Sequence, residues 1–215
     1  MLNARQALAR LREGNLRFVS GDASGHSHPT RRADLLNGQE PFAVILGCSD
    51  SRVPAELVFD QGFGDLFVIR VAGNIVAPSQ VGSVEFAASR FGTRLVVVMG
   101  HSQCGAIVAT LESLQGRART QTGSLRFIVN RVRPSVEKVL ATGRTANPDA
   151  LIREAVRANV RVSANQLRRG SKLLQRLVDK DGLVIVGAEY SLETGIVDFF
   201  DGVPAPAGSQ PPPSE

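Results

Sequence analysis

The chain has 215 residues, 43% of them hydrophobic, with two cysteines, no tryptophan and a formal net charge of +5. That length and apolar content fit one domain with a sizeable core. Basic residues are interleaved with acids, and the densest basic run (Arg168, Arg169, Lys172) falls on a helical pattern and reads as a solvated face. The few aromatic residues make no stacking platform, which argues against a nucleic-acid partner. No apolar run approaches the ~20 residues that cross a bilayer, so no membrane partner is expected. The amino terminus lacks the apolar core and cleavage site of a signal peptide, and the expected location is cytoplasmic.

Residues 3 to 19 place Ala4, Leu8, Leu11 and Phe18 at helical spacing, an amphipathic helix followed by a loop over 20–32. The run FAVILG (42–47) reads as a strand buried on both faces. Pro54 opens a short helix over PAELVF, and DLFVIR (65–70) is a second strand. Pro78 starts a helix that Gly92 stops, RLVVVM (94–99) is a third strand, and GHSQCGAIVATLESL turns at once into a helix. Two long helical patterns follow, over 124–141 and 149–178, and then strands at 182–190 and 195–200. Strands alternating with helices imply an α/β fold, a mostly parallel sheet flanked by helices. The expected organisation is one domain over 1–203, with 1–32 as an N-terminal helical arm and a disordered Pro-rich tail over 204–215.

In a reducing compartment two cysteines rarely pair, so Cys48 and Cys104 are either buried and inert or chemically employed. Two loops bear on this choice. The first strand ends in Cys48-Ser49-Asp50-Ser51-Arg52, and the third in Gly100-His101-Ser102-Gln103-Cys104-Gly105. Each lies past the carboxyl end of a parallel strand, where open α/β sheets place their sites. If the strands are neighbours, one imidazole and two thiolates converge, a soft set that suits tetrahedral zinc. The fourth position is Asp50 or water. The rival readings are a pair of small buried hydrophobes or a redox pair, the latter without a C-x-x-C motif.

The segments CSDSRVPAE, GDLFVIRVAGN, GSVEFA and GHSQCGA, in this order between Asn15 and Tyr190, resemble the β-class carbonic anhydrases. The resemblance implies a sheet of order 2-1-3-4 with an antiparallel edge strand, and reversible hydration of carbon dioxide to bicarbonate and a proton. It implies one zinc per chain on Cys48, His101 and Cys104, with zinc-bound hydroxide oriented by the dyad Asp50 and Arg52. In that role Arg52 keeps Asp50 ionised and off the metal, and Asp50 becomes a fourth ligand only in a closed state. Taken alone, the same two residues would be a surface ion pair worth under about 1 kcal/mol.

Further residues carry over singly. Gln39 matches a glutamine that contacts substrate across a dimer interface, and Phe67, Ala72 and Phe86 match the apolar wall of the carbon dioxide pocket. Ala72 and Phe86 stand where the family often has valine and tyrosine. The Gly105 N–H, at a helix start, faces an anion such as bicarbonate. The partners implied are carbon dioxide and bicarbonate, and a second copy of the chain in a homodimer or dimer of dimers. Some bacterial members close when bicarbonate binds a second site. Arg70 and Tyr190 match it, but Ile45 replaces its tryptophan, so an open resting state is expected. The alternatives are a carbon disulfide or carbonyl sulfide hydrolase on the same scaffold and a non-catalytic zinc-binding module.

Overall fold

The computed structural model describes residues 2–23, 33–117, 122–143 and 147–205. Five strands form one sheet in the order β2-β1-β3-β4-β5. They are β1 (Ala43–Gly47), β2 (Leu66–Arg70), β3 (Leu95–His101), β4 (Val184–Tyr190) and β5 (Val197–Asp201). The first four are parallel, and β5 runs antiparallel on the β4 edge. The central strands β1 and β3 are buried along their whole length, which is why they read as unbroken apolar runs rather than alternating ones.

One face of the sheet is covered by α1 (Ala4–Ser20) and the single turn α2 (Ala55–Val58). The other carries α3 (Pro78–Arg90), α6 (Pro148–Arg169) and α7 (Lys172–Lys180). A third apolar cluster forms beyond the carboxyl ends of the strands, where α4 (Gly105–Leu114) and α5 (Gly123–Ala141) pack against α6. In α1, Asn3 and Gln6 form a reciprocal capping box, and its apolar stripe folds back onto its own subunit. Buried Asn15 fixes the helix further, donating to the Val58 and Gly195 carbonyls and accepting from the Val197 N–H at 2.9–3.0 Å. α6 can approach β3 closely because Gly100 has no side chain: a Cβ there would lie 2.7 Å from Val160 Cγ2.

Two expectations change. The pattern over 149–178 is not one helix but two, α6 and α7. They separate at Gly170 and Ser171, where the Ser171 hydroxyl caps α7 by accepting from the Leu174 N–H at 3.1 Å and also bonds Glu85 on α3. Arg168, expected on a solvated face, instead reaches the Asp201 carboxylate at 2.8 Å and the Ile185 carbonyl at 2.5 Å, pinning α6 to the sheet. Most of the expected tail and of the 20–32 loop lies outside the described residues. No described helix is long and apolar enough to cross a membrane.

Candidate metal centre

The register pairs Gly47 of β1 with Met99 of β3, so Cys48 emerges beside the end of β3 that carries His101. Cys104 caps the start of α4 after a tight reversal in which Gln103 takes a left-handed φ of 57°. The reversal is tied to the β4 end, with the Ser102 N–H donating to the Tyr190 carbonyl and the Ser102 hydroxyl accepting from the Leu192 N–H, both at 2.9 Å. Cys48, His101 and Cys104 are all buried, and their donor atoms lie within 4.8 Å of one another.

The chemistry of these donors fits zinc. His101 Nδ1 lies 2.9 Å from the Ser102 carbonyl, which can only accept, so the ring proton sits on Nδ1 and Nε2 keeps its lone pair. That Nε2 is wholly buried and has no hydrogen-bond partner among the described residues. An orphaned buried acceptor costs about 1–3 kcal/mol, and a cation removes the cost. A hydrogen bond from Cys104 holds the Cys48 thiol well below its usual value, while donating that bond, together with burial, holds the Cys104 thiol up. A metal bound between the two sulfurs would displace the proton that this bond carries. Tetrahedral zinc, with bonds of about 2.1–2.3 Å, spaces its ligands at under about 4 Å, so the three donors need close by no more than about 1 Å.

Asp50 lies above these donors, its Oδ2 3.9 Å from His101 Nε2. Arg52 grips it with a fork: Nε donates to Oδ1 at 2.9 Å and Nη2 to Oδ2 at 2.7 Å, and the Arg52 backbone N–H adds a bond of 3.0 Å. These bonds from Arg52 hold the Asp50 carboxyl well below the usual carboxylate range. Two groups that the sequence reading did not assign to this loop also hold it. Arg70, at the end of β2, donates to the Cys48 carbonyl at 3.0 Å and to the Asp50 carbonyl at 2.6 Å. The Gly73 N–H points at Cys48 Sγ from 3.4 Å. Arg70 had been matched to a second anion site. Of the other positions matched to that site, Ile45 and Tyr190 are buried together in the core beneath α1.

The residues matched by resemblance to a substrate pocket are spread more widely. Gly105 opens α4 and is exposed, and exposed Ala72 immediately precedes Gly73. Phe67 on β2 and Phe86 on α3 form an aromatic group with Phe91, ring centres 5.6–6.2 Å apart, and Phe86 is 54% exposed. Gln39 lies in a surface hollow with Asp34, Arg90 and Phe91, before the amino end of β1. It is thus roughly 17 Å, the length of a five-residue strand, from the end that carries the metal donors of its own chain.

A family model described as carbonic anhydrase matches residues 43–197. The chain belongs to the carbonic anhydrase family. It is 39% identical over 193 residues to a carbonic anhydrase of Mycolicibacterium smegmatis, covering 88% of this chain and 89% of that protein. It is 40% identical over 191 residues to carbonic anhydrase 2 of Mycobacterium tuberculosis, covering 86% and 87%. The β-carbonic anhydrase CafA of Aspergillus fumigatus superposes with a TM-score of 0.73 at 25% identity, covering 94% of this chain and 92% of that one. The β-carbonic anhydrase CcaA gives 0.69 at 28% identity, with 91% and 92% covered. These neighbours set the chain in the β class, whose cofactor is zinc, and the expected sheet order 2-1-3-4 with an antiparallel edge holds.

Proposed function

We propose that the protein catalyses the reversible hydration of carbon dioxide with Cys48, His101 and Cys104 holding zinc and Asp50 and Arg52 acting on the attacking water. The single observation that carries this reading is the buried, unpartnered Nε2 of His101 facing two thiols. Zinc bound there would supply a Lewis acid that lowers the pKa of a coordinated water toward neutrality. Asp50, ionised and beside that position, accepts a hydrogen bond from the attacking water and turns its lone pair toward the substrate. Arg52 keeps both Asp50 oxygens occupied and so keeps the carboxylate from approaching the donors as a fourth ligand. This is the open resting state. The exposed Gly105 N–H at the start of α4 faces the developing bicarbonate.

We further infer that the site is completed by a second copy of the chain. The partly exposed Phe67, Phe86 and Phe91 form an apolar face beside the outer strand β2. Gln39 is too far along β1 to serve its own metal centre, and we assign it, with Phe67, Ala72 and Phe86, to a carbon dioxide pocket shared between subunits. Elemental analysis of chelator-free protein should find one zinc per chain, and stopped-flow assay should show carbon dioxide hydration. Cys104→Ala should lose both, with a lowered unfolding midpoint because metal binding is coupled to folding. Zinc retained at one equivalent in Cys104→Ala would remove that residue from the ligand set.

A further inference from the structure

Gly73 and Asn74, in the turn after β2, both take left-handed backbone, with φ of 69° and 42°. Such a turn is poorly populated by a free chain and persists only where its surroundings hold it. It matters because the Gly73 N–H is the group directed at Cys48 Sγ. The turn is gripped from three helices. A Cβ on Gly73 would lie 3.0 Å from Ala106 Cβ on α4 and 3.3 Å from Val132 Cγ2 on α5. From α6, Asn159 Nδ2 donates to the Gly73 carbonyl at 2.7 Å. Asn159 is 1% exposed, and its Oδ1 lies 3.1 Å from the hydroxyl of fully buried Ser135 on α5. A carbonyl can only accept, so the amide nitrogen must face Gly73 and the oxygen must face Ser135, which fixes the orientation of Asn159.

We propose that Asn159 is a positioning residue of the metal centre: by holding the Gly73 carbonyl, it keeps the Gly73 N–H on Cys48 Sγ. The two peptides meet at the Gly73 Cα, and a glycine has no Cβ to restrict rotation there. The turn therefore keeps its shape only while it is held from outside, by the Asn159 bond on the carbonyl side and by Ala106 and Val132 packed against the Cα, and losing the Asn159 bond frees the N–H to swing. The N–H bond draws charge from the Cys48 sulfur and sets its direction, so the sulfur donates less to zinc and zinc stays a stronger Lewis acid. Asn159 lies 86 residues from Gly73 and 111 residues from Cys48 in sequence, on a helix that bears no ligand. The proposal rests on the zinc reading above and deepens it.

The test uses Asn159→Leu, which keeps the branched shape of the side chain while removing the donor, in the zinc enzyme and in its cobalt-substituted form. Zinc transfer to a chromophoric chelator should accelerate about tenfold or more, the usual effect of losing an outer partner of a ligand. The thiolate-to-cobalt charge-transfer bands should shift as the charge on the Cys48 sulfur changes. The one Ser135 hydroxyl proton is shared between the Val132 carbonyl at 2.7 Å and Asn159 Oδ1 at 3.1 Å, so Ser135→Ala loosens Asn159 in part and should move both readings in the same direction by less. Leu167→Ala, on the same helix and fully buried in the opposite core, should lower the unfolding midpoint yet leave zinc release and bands at the wild-type values. Bands and release rates in Asn159→Leu and Ser135→Ala that match Leu167→Ala overturn the proposal. If Asn159→Leu does not fold, unmoved bands in Ser135→Ala overturn it alone. A wild-type cobalt form without thiolate bands overturns instead the Cys48, His101 and Cys104 ligand set, and the two failures are thereby told apart.

Discussion

At the scale of single residues, the site turns on which groups hold which. Arg52 is half exposed, and an exposed ion pair contributes little to stability. Its two-pronged grip on Asp50 therefore has its main consequence in the direction the carboxylate faces. Arg52→Ala should keep one zinc per chain and a near-wild-type unfolding midpoint, yet lose about 10–100-fold in carbon dioxide hydration. Wild-type turnover across pH in that variant would rule out the role given to Arg52. Glu189, beside Gly100 on β4, offers a separate test. Burial raises its carboxyl above the ordinary value of 4.5, more than nearby Arg157 lowers it. The folded state thus binds the proton more tightly than the unfolded one. Any stability this contributes is present below the ordinary value and lost as pH rises through the folded value. Glu189→Gln should therefore gain urea resistance relative to wild type on going from pH 4 to pH 8. Parallel urea midpoints over that range would show that burial is not costing Glu189 its charge.

At the scale of elements, the strands were legible because β1 and β3 are buried on both faces and so need apolar residues at every position. The metal donors were legible for a related reason: parallel neighbours with matched ends bring Cys48 beside His101, and the H-x-x-C spacing returns Cys104 to the same point, although the left-handed Gln103 that makes the reversal was not. The α6–α7 break was less so. A lone Gly170 is tolerated within helices, and the cap at Ser171 is reinforced by Glu85 on α3, 86 residues away. Arg70, Gly73 and Asn159 escaped assignment to the centre in the same way, since each acts through a backbone group that no side-chain motif records. Helix contacts also decide a mutation's sign. Gly14 on α1 faces the Phe59 carbonyl so closely that a Cβ would lie 1.8 Å from the oxygen. Alanine raises helix propensity by up to about 1 kcal/mol, but a backbone clash in a packed site costs about 1–3 kcal/mol. Gly14→Ala should lower the unfolding midpoint, and a raised midpoint would show that α1 can lift away from α2 freely.

At the scale of the whole molecule, the question is whether one chain holds a complete site. Gln39 and the metal donors lie at opposite ends of β1, so a site using both must take them from different chains. In a two-fold dimer each centre then pairs one chain's metal with the other chain's glutamine. Two defective variants can test this. Cys104→Ala removes the metal and Gln39→Ala removes the glutamine, and each homodimer should be impaired. In a heterodimer of the two, one centre has neither group, but the other joins the metal of the Gln39→Ala chain to the glutamine of the Cys104→Ala chain. That centre is intact. Unfolding and refolding an equal mixture with zinc makes about half of all dimers heterodimers, each with one working site of two. Activity should recover to about one quarter of wild type, above the mean of the separately refolded variants. If Gln39 served its own chain, the heterodimer would contain no intact centre and mixing would add nothing. Size-exclusion chromatography with light scattering establishes that the refolded species are dimers or larger, and a mixture that assembles yet gains no activity would return Gln39 to a role outside the site.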